Sequence, residues 1–124
     1  MKITDLRVAV IGKHPIVRIV TDEGIYGIGE VEYTKTYLKP FILHFRDALI
    51  GEDPTKVVHL WQAMYKHAFY RGGPILTSAL SGIEQALWDC YGKYMGVPVY
   101  KLLGGPTRDR IRVYGTANGS APES

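Results

Sequence analysis

The chain contains very little cysteine: Cys90 is its only one, so no internal disulfide can hold the fold together. No apolar run approaches the roughly 20 residues that cross a bilayer. The N-terminal stretch MKITDLRVAV interrupts its apolar pattern with Asp5 and Arg7, unlike a secretory signal. The expected compartment is therefore the cytoplasm, with no membrane partner. A basic stripe is missing too. The net charge is only +3, and Arg108, Arg110 and Arg112 are the one dense basic group. The 9 tyrosines are scattered among apolar patterns rather than aligned with cations, which argues against nucleic acid as a partner.

What is present is ordinary globular material. With 124 residues, 46% hydrophobic and 22% charged, the chain is long enough to bury a core. Its most organised stretch is RGGPILTSALSGIEQALWDCYGKYM, residues 71–95. Leu76, Ala79, Leu80, Ile83, Ala86, Leu87, Cys90, Tyr91 and Tyr94 recur at spacings of three and four, the signature of one wide apolar helix face. Ser78, Gln85, Asp89 and Lys93 fall off that stripe. Pro74 suits a first turn, and Gly96 with Pro98 supplies the stop. Cys90 sits within the stripe, where a thiol is buried and inert.

Before this helix, Ile3 to Val10, Ile16 to Val20 and Ile25 to Ile28 read as three strands joined by short links, hence an antiparallel meander. Gly12 to Pro15 is expected as the first turn and Glu30 to Lys35 as a loop. Tyr37 to Ile50 follows with helical periodicity in Leu38, Phe41, Ile42, Phe45, Ala48 and Leu49. Asp53 is expected to cap a second helix opening at Pro54, with Val57, Leu60, Trp61, Met64 and Tyr65 inward. Trp61 and Trp88 should be largely buried. Ile111 to Tyr114 reads as one more short strand. The expected fold is thus α+β: a three-stranded antiparallel meander followed by a helical bundle.

Chemistry is harder to find. His14, His44, His59 and His67 form no HxH or HxxxH pair. Glu30 and Glu32 at i, i+2 could share one side, but magnesium needs more oxygen ligands. The run GIYGIG at 24–29 is not GxGxxG and opens no helix, so no phosphate loop is expected. Periodicity and composition alone disclose no reaction.

Four separated motifs carry more. TDEGIYGIGE at 21–30, LIGEDP at 49–54, FYRGGPILTSALSGIEQALWD at 69–89 and GVPVYKLLGG at 96–105 resemble the N-terminal capping domain of the enolase superfamily. Within it the chain is most similar to the mandelate racemase/muconate lactonizing enzyme branch, and there to galactonate and mannonate dehydratase-like proteins. VYGTANGS at 113–120 resembles the segment leading from such a cap into its barrel. The resemblance implies a cap over residues 1–106, with 107–124 a linker and the start of a (β/α)₈ barrel that is absent.

In that family a magnesium ion on barrel carboxylates stabilises the enediolate formed when the proton α to a carboxylate is removed. The β-hydroxyl then leaves, and the cap excludes water and sets substrate preference. A barrel of this kind needs about 200 residues or more. The resemblance therefore assigns no catalytic residue and no metal ligand here, and the chain is expected to be a truncated lyase relative, inactive alone. A sugar acid becomes a partner only if a barrel is supplied, and a homo-oligomer is expected. The specificity positions implied are Tyr33, Thr34 and Lys35 after the third strand, and Thr116. Mannonate dehydratases have asparagine and histidine where Thr34 and Thr116 stand, whereas the RGGP form at 71–74 leans toward galactonate. Loop filler remains the plain alternative for Tyr33 and Lys35. The cap of a racemase or cycloisomerase, or a non-catalytic α+β interaction module, also stays open.

Overall fold

The computed structural model describes residues 1–67 and 71–115. Strands β1 (Ile3–Ile11), β2 (His14–Thr21) and β3 (Tyr26–Glu30) form an antiparallel sheet in the order β1-β2-β3. The imperfect alternation of β1 has a local cause: a register irregularity between Ile3 and Asp5. The first turn is tighter than expected, and β2 already begins at His14. On the inner face, Leu6 opposes Ile19 and Val8 opposes Val17, so β-branched and leucine side chains share one buried layer.

That layer is covered chiefly by helix α4 (Gly73–Met95), which takes Pro74 in its first turn. Its buried stripe is Ala79, Leu80, Ile83, Ala86, Leu87 and Cys90, while Tyr94 at its end is exposed. Gly96 ends it in the left-handed conformation at φ 68°, its N–H donating to the Gly92 and Lys93 carbonyls. Helix α4 lies unusually close to β3, whose core-facing residues are both glycines. A Cβ on Gly27 would run into the Ala86 carbonyl oxygen, and one on Gly29 into the Gly82 carbonyl oxygen. The glycines of GIYGIG therefore serve backbone packing.

The expected single helix over 37–50 is instead three short pieces: a 3₁₀ turn (Thr36–Leu38), α1 (Lys39–Leu43) and α2 (Arg46–Leu49). Tightened i→i−3 bonds from Phe45 to Ile42 and from Ala48 to Phe45 bend the path. Leu38, Ile42, Phe45 and Leu49 stay buried through the bend, whereas Phe41 and Ala48 turn outward. Helix α3 begins at Val57, not Pro54, and runs to Tyr65. Asp53 closes a turn of its own: its Oδ1 accepts from the Thr55 N–H at 2.9 Å and the Thr55 hydroxyl at 2.8 Å.

Both tryptophans are partly buried and pack against the core. Trp61 stacks on Tyr65 at 4.9 Å, and the Trp88 indole N–H donates to Glu84 at 3.4 Å. Helix α5 (Val99–Leu102) closes the described helices. The strand expected over Ile111 to Tyr114 is not formed, and Ile111, Val113 and Tyr114 are 78%, 85% and 89% exposed. A strand needs a neighbour, and no described segment lies beside this one to supply the ladder.

Candidate functional site

At one end of the sheet the β1–β2 turn and the loop after β3 are bound together. The Thr34 N–H donates to the Lys13 carbonyl at 2.9 Å, and the Val31 N–H donates to the Pro15 carbonyl at 3.2 Å. These two bonds hold Tyr33, Thr34 and Lys35 alongside Lys13 and His14. Thr34 has φ +69°, a left-handed conformation that a β-branched residue adopts only under strain. Such strain, on the order of 1–3 kcal/mol, is characteristic of sites where geometry matters more than stability.

The register accounts for the side-chain contacts. Ile16 opposes Glu30 on the outer face of the sheet, which makes His14 the diagonal neighbour of Glu30. His14 Nδ1 and Glu30 Oε1 are 2.5 Å apart. The Tyr33 ring lies 4.7 Å from the His14 ring, tilted by 40°. Lys35 Nζ stands 3.9 Å from Glu32, a loose and exposed pair that another anion can displace. The end of the sheet therefore presents two lysines, an imidazole, a phenol and two carboxylates on the surface.

Glu30 is also fixed from below. Its N–H donates to Gln85 Oε1 of α4 at 3.2 Å. One turn along α4, Asp89 Oδ2 accepts from the Ile28 N–H at 2.8 Å. Lys93 then donates to the Tyr26 carbonyl at 2.8 Å, with its other contact to Asp89. Polar side chains at 85, 89 and 93 thus take up the backbone groups along the free edge of β3. Periodicity places them only off the apolar stripe. A polar row repeating every fourth residue directly beside an apolar stripe is the signal that could have found them.

The other candidates are placed elsewhere. His59 is exposed on α3. His44 and His67, far apart in sequence, bring their rings within 4.7 Å, both against Phe45. Cys90 is buried and unpaired, and burial pushes its thiol up to about 11, so it is no nucleophile near neutrality. Thr116 lies outside the described residues. The donor set does not fit magnesium. Glu30 turns to His14 and Glu32 to Lys35, and among the described residues no three acidic, histidine or cysteine side chains converge. No described helix is long and apolar enough to cross a membrane.

Comparison with known proteins bears on this arrangement. Residues 8–104 match the family described as mandelate racemase/muconate lactonizing enzyme, N-terminal domain. A D-galactonate dehydratase of Variovorax paradoxus (strain S110) is 49% identical over 125 residues, covering 98% of this chain and 33% of that protein. A crystal structure of an enolase superfamily member from Salmonella Typhimurium superposes with TM-score 0.86 at 40% identity, over 91% of this chain and 31% of that one. An enolase of Pantoea ananatis, solved with D-gluconate and magnesium bound, gives TM-score 0.81 at 37% identity, over 87% of this chain and 28% of its own. The chain spans about a third of the length of the curated relatives it matches.

Proposed function

Because the chain belongs to the mandelate racemase/muconate lactonizing enzyme family through its N-terminal domain, we propose that it is the substrate-specificity cap of an acid-sugar dehydratase. The observation that carries this reading is the joined loop end, where Thr34 bonds Lys13 and brings Tyr33 and Lys35 beside the β1–β2 turn. Lysine ammonium groups suit a carboxylate, an aromatic face suits the C–H side of a sugar, and carboxylates accept from hydroxyls. A polyhydroxy acid offers all three partners. The 49% identity to a D-galactonate dehydratase favours galactonate-like acids.

In this reading the cap does not abstract the α-proton. Its work is to orient the distal hydroxyls, exclude water and hold the substrate for a barrel that carries magnesium and the base. The resemblance assigns Thr116, together with Tyr33, Thr34 and Lys35, to substrate preference. The division into a cap over 1–106 and a barrel-entry segment over 107–124 belongs to the same proposal, as does action in the cytoplasm.

The experiment is a cap exchange. This chain replaces the corresponding third of the Variovorax paradoxus enzyme, and kcat/KM is measured with D-galactonate, D-gluconate and D-mannonate. Turnover should persist, with D-galactonate preferred. Replacing Tyr33 and Lys35 together by Ala should lower kcat/KM on the order of tenfold, about 1.4 kcal/mol. A folded, active chimera whose preference ignores that change would overturn the assignment.

A further inference from the structure

Sequence reasoning left His14 without a role, and the geometry points to one. We infer that His14 is a substrate contact of the loop end, presented through Nε2, and that Glu30 is its positioning residue. This rests on the reading of that end as the surface that meets a sugar acid.

A carboxylate can only accept, so a neutral imidazole whose Nδ1 lies 2.5 Å from Glu30 carries its proton on Nδ1. Nε2 then keeps its lone pair, and among the described residues it has no hydrogen-bond partner. The ring is restrained on a second side by Tyr33. Glu30 is itself held through its backbone by Gln85, so a chain of contacts runs from α4 to the imidazole. Fastening the loop does not require this pair, because two backbone bonds already tie it to the β1–β2 turn. The side chains of His14 and Glu30 remain 49% and 48% exposed, within reach of a ligand.

The charged and titratable groups around His14 are Lys13 beside it, Glu30 on β3, and Glu32, Tyr33 and Lys35 on the loop. Neutral Nε2 accepts from a sugar hydroxyl, and the protonated ring donates to a carboxylate. A fixed imidazole therefore discriminates by hydroxyl position, which an unanchored lysine cannot do as sharply.

Long-range ¹H–¹⁵N spectra of the 124-residue chain test the positioning. Neutral His14 should populate the Nδ1–H tautomer, and Glu30→Ala should abolish that preference. In the chimera with the Variovorax paradoxus barrel, D-galactonate should shift the His14 Nε2 resonance, and His14→Gln should raise its KM roughly threefold to tenfold. An Nε2–H tautomer in the wild type would sink the inference. So would D-galactonate shifts at Tyr33 and Lys35 that spare Nε2, although the cap reading would then survive. Shifts at none of these residues, with D-galactonate or D-gluconate, would overturn both.

Discussion

Strand β3 belongs to two regions built on opposite terms. Along its length it is held by α4 from two directions, with glycines admitting the helix backbone and a row of polar side chains taking up its edge. At its end, Glu30 opens into a loop of half-exposed charges and a strained threonine. The first region leaves little room for change, because at Gly27 and Gly29 the helix backbone sits directly against the strand. The second tolerates change in packing but not in geometry. The proposed specificity role fits this division: the seam fixes where the loop starts, and the loop would determine which groups are presented.

The comparison breaks most visibly at Gly27. Gly27→Ala places a methyl group against the Ala86 carbonyl, which cannot rotate away. The loss should exceed the roughly 1–3 kcal/mol of ordinary overpacking. A denaturant titration showing less than 1 kcal/mol would mean that α4 can slide off the strand freely. Asp89→Ala comes next. It strips the Ile28 N–H and Lys93 of one acceptor, and a loss of about 1–3 kcal/mol is expected, with amide exchange quickening at Ile28 first.

In the loop the sign reverses. Thr34→Gly relieves the left-handed backbone and should raise stability by about 1 kcal/mol, while weakening any sugar-acid selectivity of the loop. A destabilised Thr34→Gly chain would show that the threonine side chain holds the loop by contacts rather than enduring it.

Acid should produce the smallest effect, and away from both regions. Asp53 is held below its ordinary 3.8 by hydrogen bonds from the Thr55 backbone and hydroxyl. Asp5 is lowered by its bond from Arg7 and then by Arg46. A depressed carboxyl stabilises the fold above its unfolded pKa, and that contribution fades as pH falls through the lower, folded value. Melting should therefore be insensitive to these two groups above about pH 5 and decline below about pH 4. Asp53→Asn should flatten part of the decline; an unchanged acid limb would remove Asp53 from the account.

Much of the fold was legible because its signals are local. The stripe of α4 needed only spacings of three and four, and the meander needed only short links between β-branched runs. The break between α1 and α2 was not legible, since Leu38, Ile42, Phe45 and Leu49 keep helical spacing through it. The site was legible as a loop but not as a constellation. Tyr33, Thr34 and Lys35 were marked by resemblance, whereas His14 meets Glu30 only through strand register, sixteen residues apart. Glu30 and Glu32 looked like a pair in sequence, yet each turns to a different cation. Nothing in a residue's own neighbourhood encodes a partner that the register selects.

The polar row on α4 also has a consequence in time. During synthesis β3 emerges well before Lys93, and at roughly 5–20 residues per second the intervening chain takes several seconds to appear. Through that interval the edge of the meander has no cover, and an uncovered edge invites pairing with any passing strand. Gly27 and Gly29 make β3 a poor template, because glycine contributes no side chain to a foreign sheet and lowers strand propensity. The residues that later admit α4 so closely thus protect the nascent chain while it waits for that helix to be made.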